Sequence, residues 1–143
     1  MGTRVLGIDV GRRRVGLAIS DPTGTLARPL RTLTVSDHDR LDRVAEAITA
    51  LAQEDDGLAT VVVGLPVRLD GTDNEQTKQV AMFIAGLRAR VEVPLVEAEE
   101  RLSSREAESR LALREPDWRK RKEKLDAAAA AVILQDFLDR PER

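Results

Sequence analysis

Val5-Leu6-Gly7-Ile8-Asp9-Val10-Gly11 runs into three arginines, Arg12-Arg13-Arg14, and emerges as Val15-Gly16-Leu17-Ala18-Ile19-Ser20. The first run is apolar throughout except at Asp9, the pattern of a central strand buried on both faces. Gly11 and the arginines make a turn, and the second run pairs back on the first as a hairpin. A carboxylate in such a strand is costly unless another charge compensates it, and a bound metal ion does so most directly.

Beyond the hairpin, Asp21-Pro22-Thr23-Gly24 marks a turn, and Leu30 to Val35 alternates as a third, edge-like strand with Pro29 at its start. Leu41, Val44, Ala45, Ile48, Leu51 and Ala52 recur at helical spacing after the cap candidate Ser36, giving an amphipathic helix that ends near Asp56-Gly57. Thr60 to Gly64 is a short β-branched strand, followed by a loop from Leu65 to Asp73. Val80, Phe83, Ile84, Leu87 and Val91 share one face of a second helix, with Thr72 and Glu75 as its capping box. Pro94-Leu95-Val96 predicts another buried strand. A helix capped by Ser103 and Glu106 runs to about Leu113, and a last helix, apolar on nearly every side, covers Ala127 to Leu138.

The order β-β-β-α-β-α-β-α-α predicts an α/β fold with a five-stranded mixed sheet flanked by helices. The first strand and the two later ones run parallel through right-handed crossovers. Asp9, the Gly64-Leu65-Pro66 corner and Glu99-Glu100 then meet at one carboxyl edge of the sheet, where open α/β folds bind ligands, and the last helix brings Asp126 to it.

With 143 residues, the chain is expected to form one domain over 1–140 with a tail at 141–143. Hydrophobic residues make up 42% and aromatic ones only 2%, so the core is built from Val, Leu, Ile and Ala. No apolar run reaches the roughly 20 residues that span a bilayer, and no signal peptide is visible, which points away from a membrane and to the cytoplasm. The absence of Cys and the single His38 exclude thiolate chemistry and Cys- or His-rich metal sites. Only oxygen ligands remain, and three converging carboxylates suit a hard ion, Mg²⁺ or Mn²⁺. Two such ions, roughly 4 Å apart, serve phosphodiester hydrolysis. The same acids also have a structural reading, in which Asp9 caps a turn through Gly11, Glu100 pairs with Arg101 or a neighbour, and Asp126 N-caps its helix.

Six ordered segments resemble the YqgF or RuvX-like family, described as Holliday junction resolvase-like proteins and pre-16S rRNA nucleases. They are Gly7-Ile8-Asp9-Val10-Gly11 with Val15-Gly16-Leu17-Ala18, Ala27-Arg28-Pro29-Leu30, Val63-Gly64-Leu65-Pro66, Asp70-Gly71-Thr72, Glu100-Arg101-Leu102-Ser103, and Lys124-Leu125-Asp126 entering Ala-rich sequence. The resemblance covers nearly the whole chain and implies a ribonuclease H-like fold with catalytic, metal-binding acids at Asp9, Glu100 and Asp126. Glu99 stands where many members carry Asp, and Ala129 where related junction resolvases carry a further acid.

The expected activity is metal-dependent hydrolysis of structured nucleic acid. RNA is favoured, as 5′-end processing of pre-16S rRNA with pre-ribosomal particles as partners, and branched DNA is the alternative. Arg12, Arg13 and Arg14 lie beside Asp9 as phosphate contacts, with Arg101 next to Glu100. The segment Arg114 to Lys124 supplies Trp118 for stacking and Arg119, Lys120, Arg121, Lys122 and Lys124 for phosphates. That segment also reads as a solvated loop, and the chain as a monomer or weak homodimer. The Gly-Ile-Asp-Val-Gly hairpin also resembles the phosphate loop of actin-like ATPases, but those enclose nucleotide between two such domains and this chain has room for one. A non-catalytic nucleic-acid or ribosome-assembly binder is the remaining alternative.

Overall fold

The computed structural model describes residues 2–100 and 118–140, with side chains of the second segment described from Lys124 onward. Five strands, β1 (Arg4–Val10), β2 (Arg14–Ser20), β3 (Ala27–Thr34), β4 (Leu58–Pro66) and β5 (Leu95–Glu100), form one sheet in the order β3-β2-β1-β4-β5. The β1–β2 and β2–β3 pairs are antiparallel; β1–β4 and β4–β5 are parallel. Three helices are described, α1 (Arg40–Ala52), α2 (Glu75–Arg88) and α3 (Trp118–Leu138). Asp9 therefore lies on the central strand, one residue from its carboxyl end.

Because side chains alternate along a strand, the sheet has two different faces. One packs large side chains, Leu6, Ile8, Leu17, Ile19, Val61 and Val63, against Val44 and Ile48 of α1 and Ile84 and Leu87 of α2. The other carries small residues, among them Ala18, Val62 and Ala98, against Ala130, Ile133 and Leu134 of α3. Gly7 lies on this second face, where a Cβ would stand 2.7 Å from the Leu134 Cβ. α3 thus sits close on the sheet because the strands beneath it are stripped of bulk.

Several boundaries differ from the sequence-based expectation. β3 begins at Ala27 and contains Pro29, tolerated because β3 is an edge strand whose register shifts between Leu17 and Ala18. The cap of α2 is Asn74, not Thr72: its side chain accepts from the Thr77 N–H at 2.9 Å while Thr77 Oγ1 accepts from the Asn74 N–H. Thr72 is engaged instead by Asp70, which accepts from its hydroxyl at 2.6 Å. At the start of α1 the N-cap is Asp39, which accepts from the Ser36 N–H and hydroxyl. β5 extends through the acidic run to Glu100 and is an edge strand, so Val96 is exposed rather than buried.

The last helix differs most. It includes Trp118 to Lys124, so the stretch expected to be a basic loop is helical there, consistent with the good helix propensity of Arg, Lys and Glu. Nor is it buried all round. Ala127, Ala130, Leu134 and Leu138, with Ala129 and Ile133, form the buried stripe, while Asp136 is exposed. The expected helix from Ser103 to about Leu113, Arg101, residues 114–117, the side chains of residues 118–123 and the tail 141–143 lie outside the described residues.

Candidate active site

The site follows from the small-residue face. Gly7 and Asp9 point to the same side of β1, and Asp9 is paired across the hairpin with Gly16. A Cβ at Gly16 would collide with the backbone carbonyl of Asp126 and stand 2.8 Å from the Ala127 nitrogen. The helix backbone at Asp126 therefore rests on the residue opposite Asp9. On the far side, Ala98 of β5 packs in the α3 cluster, and Glu100, two residues on, has the same facing. Three carboxylates from three elements thus share one face at the carboxyl edge of the parallel strands.

Asp9 is the electrostatic centre of this group. Its carboxyl is partly buried, and among the described residues no hydrogen bond or ion pair reaches it. Burial, then the charges of Glu100 and Asp126, push its pKa up to about 7. A carboxylate so placed would be stabilised by a nearby cation. The turn-cap reading of Asp9 does not hold, because the Gly11 N–H donates to the Arg14 carbonyl at 2.9 Å. Nor does Asp126 cap its helix, which is already under way at Trp118.

Asp126 has a partner that the sequence did not announce. Arg14 opens β2 and donates from Nε to Asp126 Oδ2 at 2.8 Å, so it faces a carboxylate of the protein itself. Arg12 and Arg13 remain exposed in the turn, with Arg12 only 4.0 Å from Asp37 in a largely solvated pair. Arg40, also unsuspected, donates to the Gly11 carbonyl at 3.1 Å and lies over the Phe83 ring, tying this turn to α1 and α2. No periodicity or motif marks such a long-range tie. Lys124 is exposed on α3. Among the described residues no three acidic or histidine side chains form a preformed metal cage.

The loop after β4 borders the site. The Val67 N–H donates to the Glu100 carbonyl at 3.3 Å, and Asp70 accepts from the Thr72 N–H at 3.0 Å, which gives Asp70 a structural role in this loop. Gly71 has φ 86°, a conformation that favours glycine.

A family model described as RuvX, Holliday junction resolvase, matches residues 3–140. The chain belongs to this family. It is 41% identical over 137 residues to a candidate pre-16S rRNA nuclease of Maridesulfovibrio salexigens, covering 96% of this chain and 98% of that one. A protein of the same name from Bacillus cereus is 37% identical over 140 residues, covering 96% and 98% respectively. Among solved structures, Thermus thermophilus RuvC with a Holliday junction substrate aligns with TM-score 0.55 at 18% identity, over 95% of this chain and 93% of that one. Fowlpox virus resolvase with Holliday junction DNA aligns with TM-score 0.60 at 11% identity, over 98% and 99%. The fold is thus ribonuclease H-like, and the RuvX-family chain is a nuclease, a hydrolase of phosphodiester bonds. Among its described residues no helix is long and apolar enough to cross a membrane.

Proposed function

We propose that this RuvX-family protein is a divalent-metal-dependent nuclease that trims structured RNA at the 5′ end of the 16S rRNA precursor. Asp9, Glu100 and Asp126 hold Mg²⁺ or Mn²⁺. The observation that carries this reading is the partly buried Asp9 carboxyl, which feels the charges of both Glu100 and Asp126. The donors are all oxygen, which suits hard divalent ions. Two ions bound there would supply an activated water and charge neutralisation at the leaving oxygen. The protein holds the acids: β1 and β5 fix Asp9 and Glu100, and the Gly16 seat fixes Asp126. Arg12 and Arg13 present exposed guanidinium groups beside Asp9 for flanking phosphates. Arg101, Arg119, Lys120, Arg121, Lys122 and Lys124, between Glu100 and Asp126 in the sequence, are further candidates for phosphate contacts, and Trp118 for base stacking. Pre-ribosomal particles are the natural source of such a substrate, and the relatives' names support the assignment to RNA.

Branched DNA is the second reading, favoured by the junction-bound structural neighbours. Ala129 argues against it: where related junction resolvases carry a further acid, this chain buries an alanine with 2% exposure. The test is cleavage of a 5′-extended 16S precursor, single-stranded DNA and a four-way DNA junction by wild type and Asp126→Asn, in EDTA, Mg²⁺ or Mn²⁺. Metal-dependent cutting of the precursor that Asp126→Asn abolishes is the expected result. Preferred cutting of the junction moves the substrate to DNA; no cutting of any substrate favours a binding protein.

A further inference from the structure

We propose that Arg14 is a positioning residue for Asp126, and that its charge tunes the carboxylate site's affinity for divalent ions rather than gripping substrate phosphate. This rests on the metal site proposed above. Arg14, Gly16 and Ala18 form the row of β2 that faces α3. Gly16 receives the backbone of Asp126, and Arg14, two residues earlier, takes its side chain through Nε at 2.8 Å. One helical residue is thus fixed at both backbone and carboxylate by a single strand.

Arg14 is itself anchored. Its carbonyl accepts from the Gly11 N–H, and it pairs with Thr34 of β3. The side chains of Arg14 and Asp126 are 37% and 20% exposed, against 83% and 71% for Arg12 and Asp37, so their contact is the less screened of the two. Arg12 and Arg13 are the outward-facing cations of this turn. Arg14 is the inward one.

Two consequences have opposite signs. A charged hydrogen bond to one oxygen holds the Asp126 carboxylate in a single orientation, which favours turnover. A fixed positive charge beside a metal ligand repels a divalent ion, which weakens its binding. Removing Arg14 therefore tightens ion binding while slowing cleavage. Neither a phosphate clamp nor a purely scaffolding arginine produces that pair of effects.

The test measures Mn²⁺ binding by the full chain, from the electron paramagnetic resonance signal of free ion, in wild type, Arg14→Gln, Asp126→Asn and the double variant. It is paired with cleavage kinetics and thermal melting. In Arg14→Gln the Mn²⁺ Kd is expected to fall roughly three- to tenfold, while kcat falls about tenfold and substrate KM stays within about twofold. In the Asp126→Asn background the same change shifts the Mn²⁺ Kd clearly less, because the part carried by the Arg14–Asp126 contact is already gone. Arg14→Lys, which keeps the charge and loses the Nε geometry, retains wild-type Mn²⁺ affinity with reduced kcat, and it carries the test if the glutamine variant does not fold.

Unchanged or weaker Mn²⁺ binding in Arg14→Gln, or an equal effect in both backgrounds, overturns the proposal. So does a raised KM with a salt slope of nucleic-acid binding lower by about one, the signature of a phosphate contact, or an altered Mn²⁺ affinity in Arg14→Lys. If wild type itself shows no saturable Mn²⁺ binding, the metal site fails, a result distinct from binding that is indifferent to Arg14.

Discussion

The two faces of the sheet solve different problems with the same strands. Toward α1 and α2 the strands present Leu6, Ile8, Leu17 and Ile19, all fully buried, and the helices are held by apolar area. Toward α3 the same strands present Gly7, Gly16 and Ala18, giving up bulk so that a helix backbone can come close enough to set Asp126 beside Asp9. The first face makes stability and the second shapes the candidate site. Substitutions on the two faces should therefore separate stability from activity.

The largest separation is expected at the acids. Asp9→Asn and Asp126→Asn should each lower cleavage by about a thousandfold or more, since each would remove a proposed metal ligand, while both proteins stay folded by circular dichroism. Ile48→Ala on the other face should do the reverse. It should cost roughly 2–5 kcal/mol in denaturant melts by opening a cavity, with kcat within about twofold of wild type where the protein is folded.

Gly16→Ala probes the boundary between the two roles. A methyl there collides with the Asp126 carbonyl, so α3 must shift. The cost should be about 1–3 kcal/mol of stability, and kcat should fall at least roughly tenfold through displacement of Asp126. An active, stable Gly16→Ala protein would show that the close seat is not needed.

A smaller, pH-dependent effect belongs to Asp9. Its native carboxyl keeps its proton up to about pH 7, whereas the unfolded one releases it near 3.8. Between those values the native state binds more protons, so the metal-free protein loses stability as pH rises through that window and the loss levels off above it. The full shift corresponds to on the order of 4 kcal/mol. In EDTA at pH 8, Asp9→Asn should melt higher than wild type, and Mg²⁺ should raise the wild-type melting temperature more than that of the variant. Asp21, Asp39 and Asp70, held low by hydrogen bonds from neighbouring backbone and hydroxyl groups, act in a separate window below the ordinary carboxylate range.

Much of this arrangement was legible in the sequence. The apolar run around Asp9 and the hairpin after it announce a central strand, and the helical spacing of Val44, Ile48 and Leu51 announces α1. The edges were harder to read because local signals compete there: Thr72 offers itself as a cap but is taken by Asp70, and Asn74 caps instead. The basic stretch before Asp126 looked like a loop because charge density masks good helix propensity. The tie from Arg14 to Asp126 was hidden for a different reason. Three consecutive arginines look alike in one dimension, and only the pleat of β2 turns the third inward, to a carboxylate 112 positions away.

The most direct test of the central claim is an anomalous difference map from crystals grown with Mn²⁺. The account predicts manganese bound by the carboxylates of Asp9, Glu100 and Asp126 at the carboxyl edge of the sheet. Manganese held elsewhere, with those three carboxylates left unliganded at saturating ion, would contradict it.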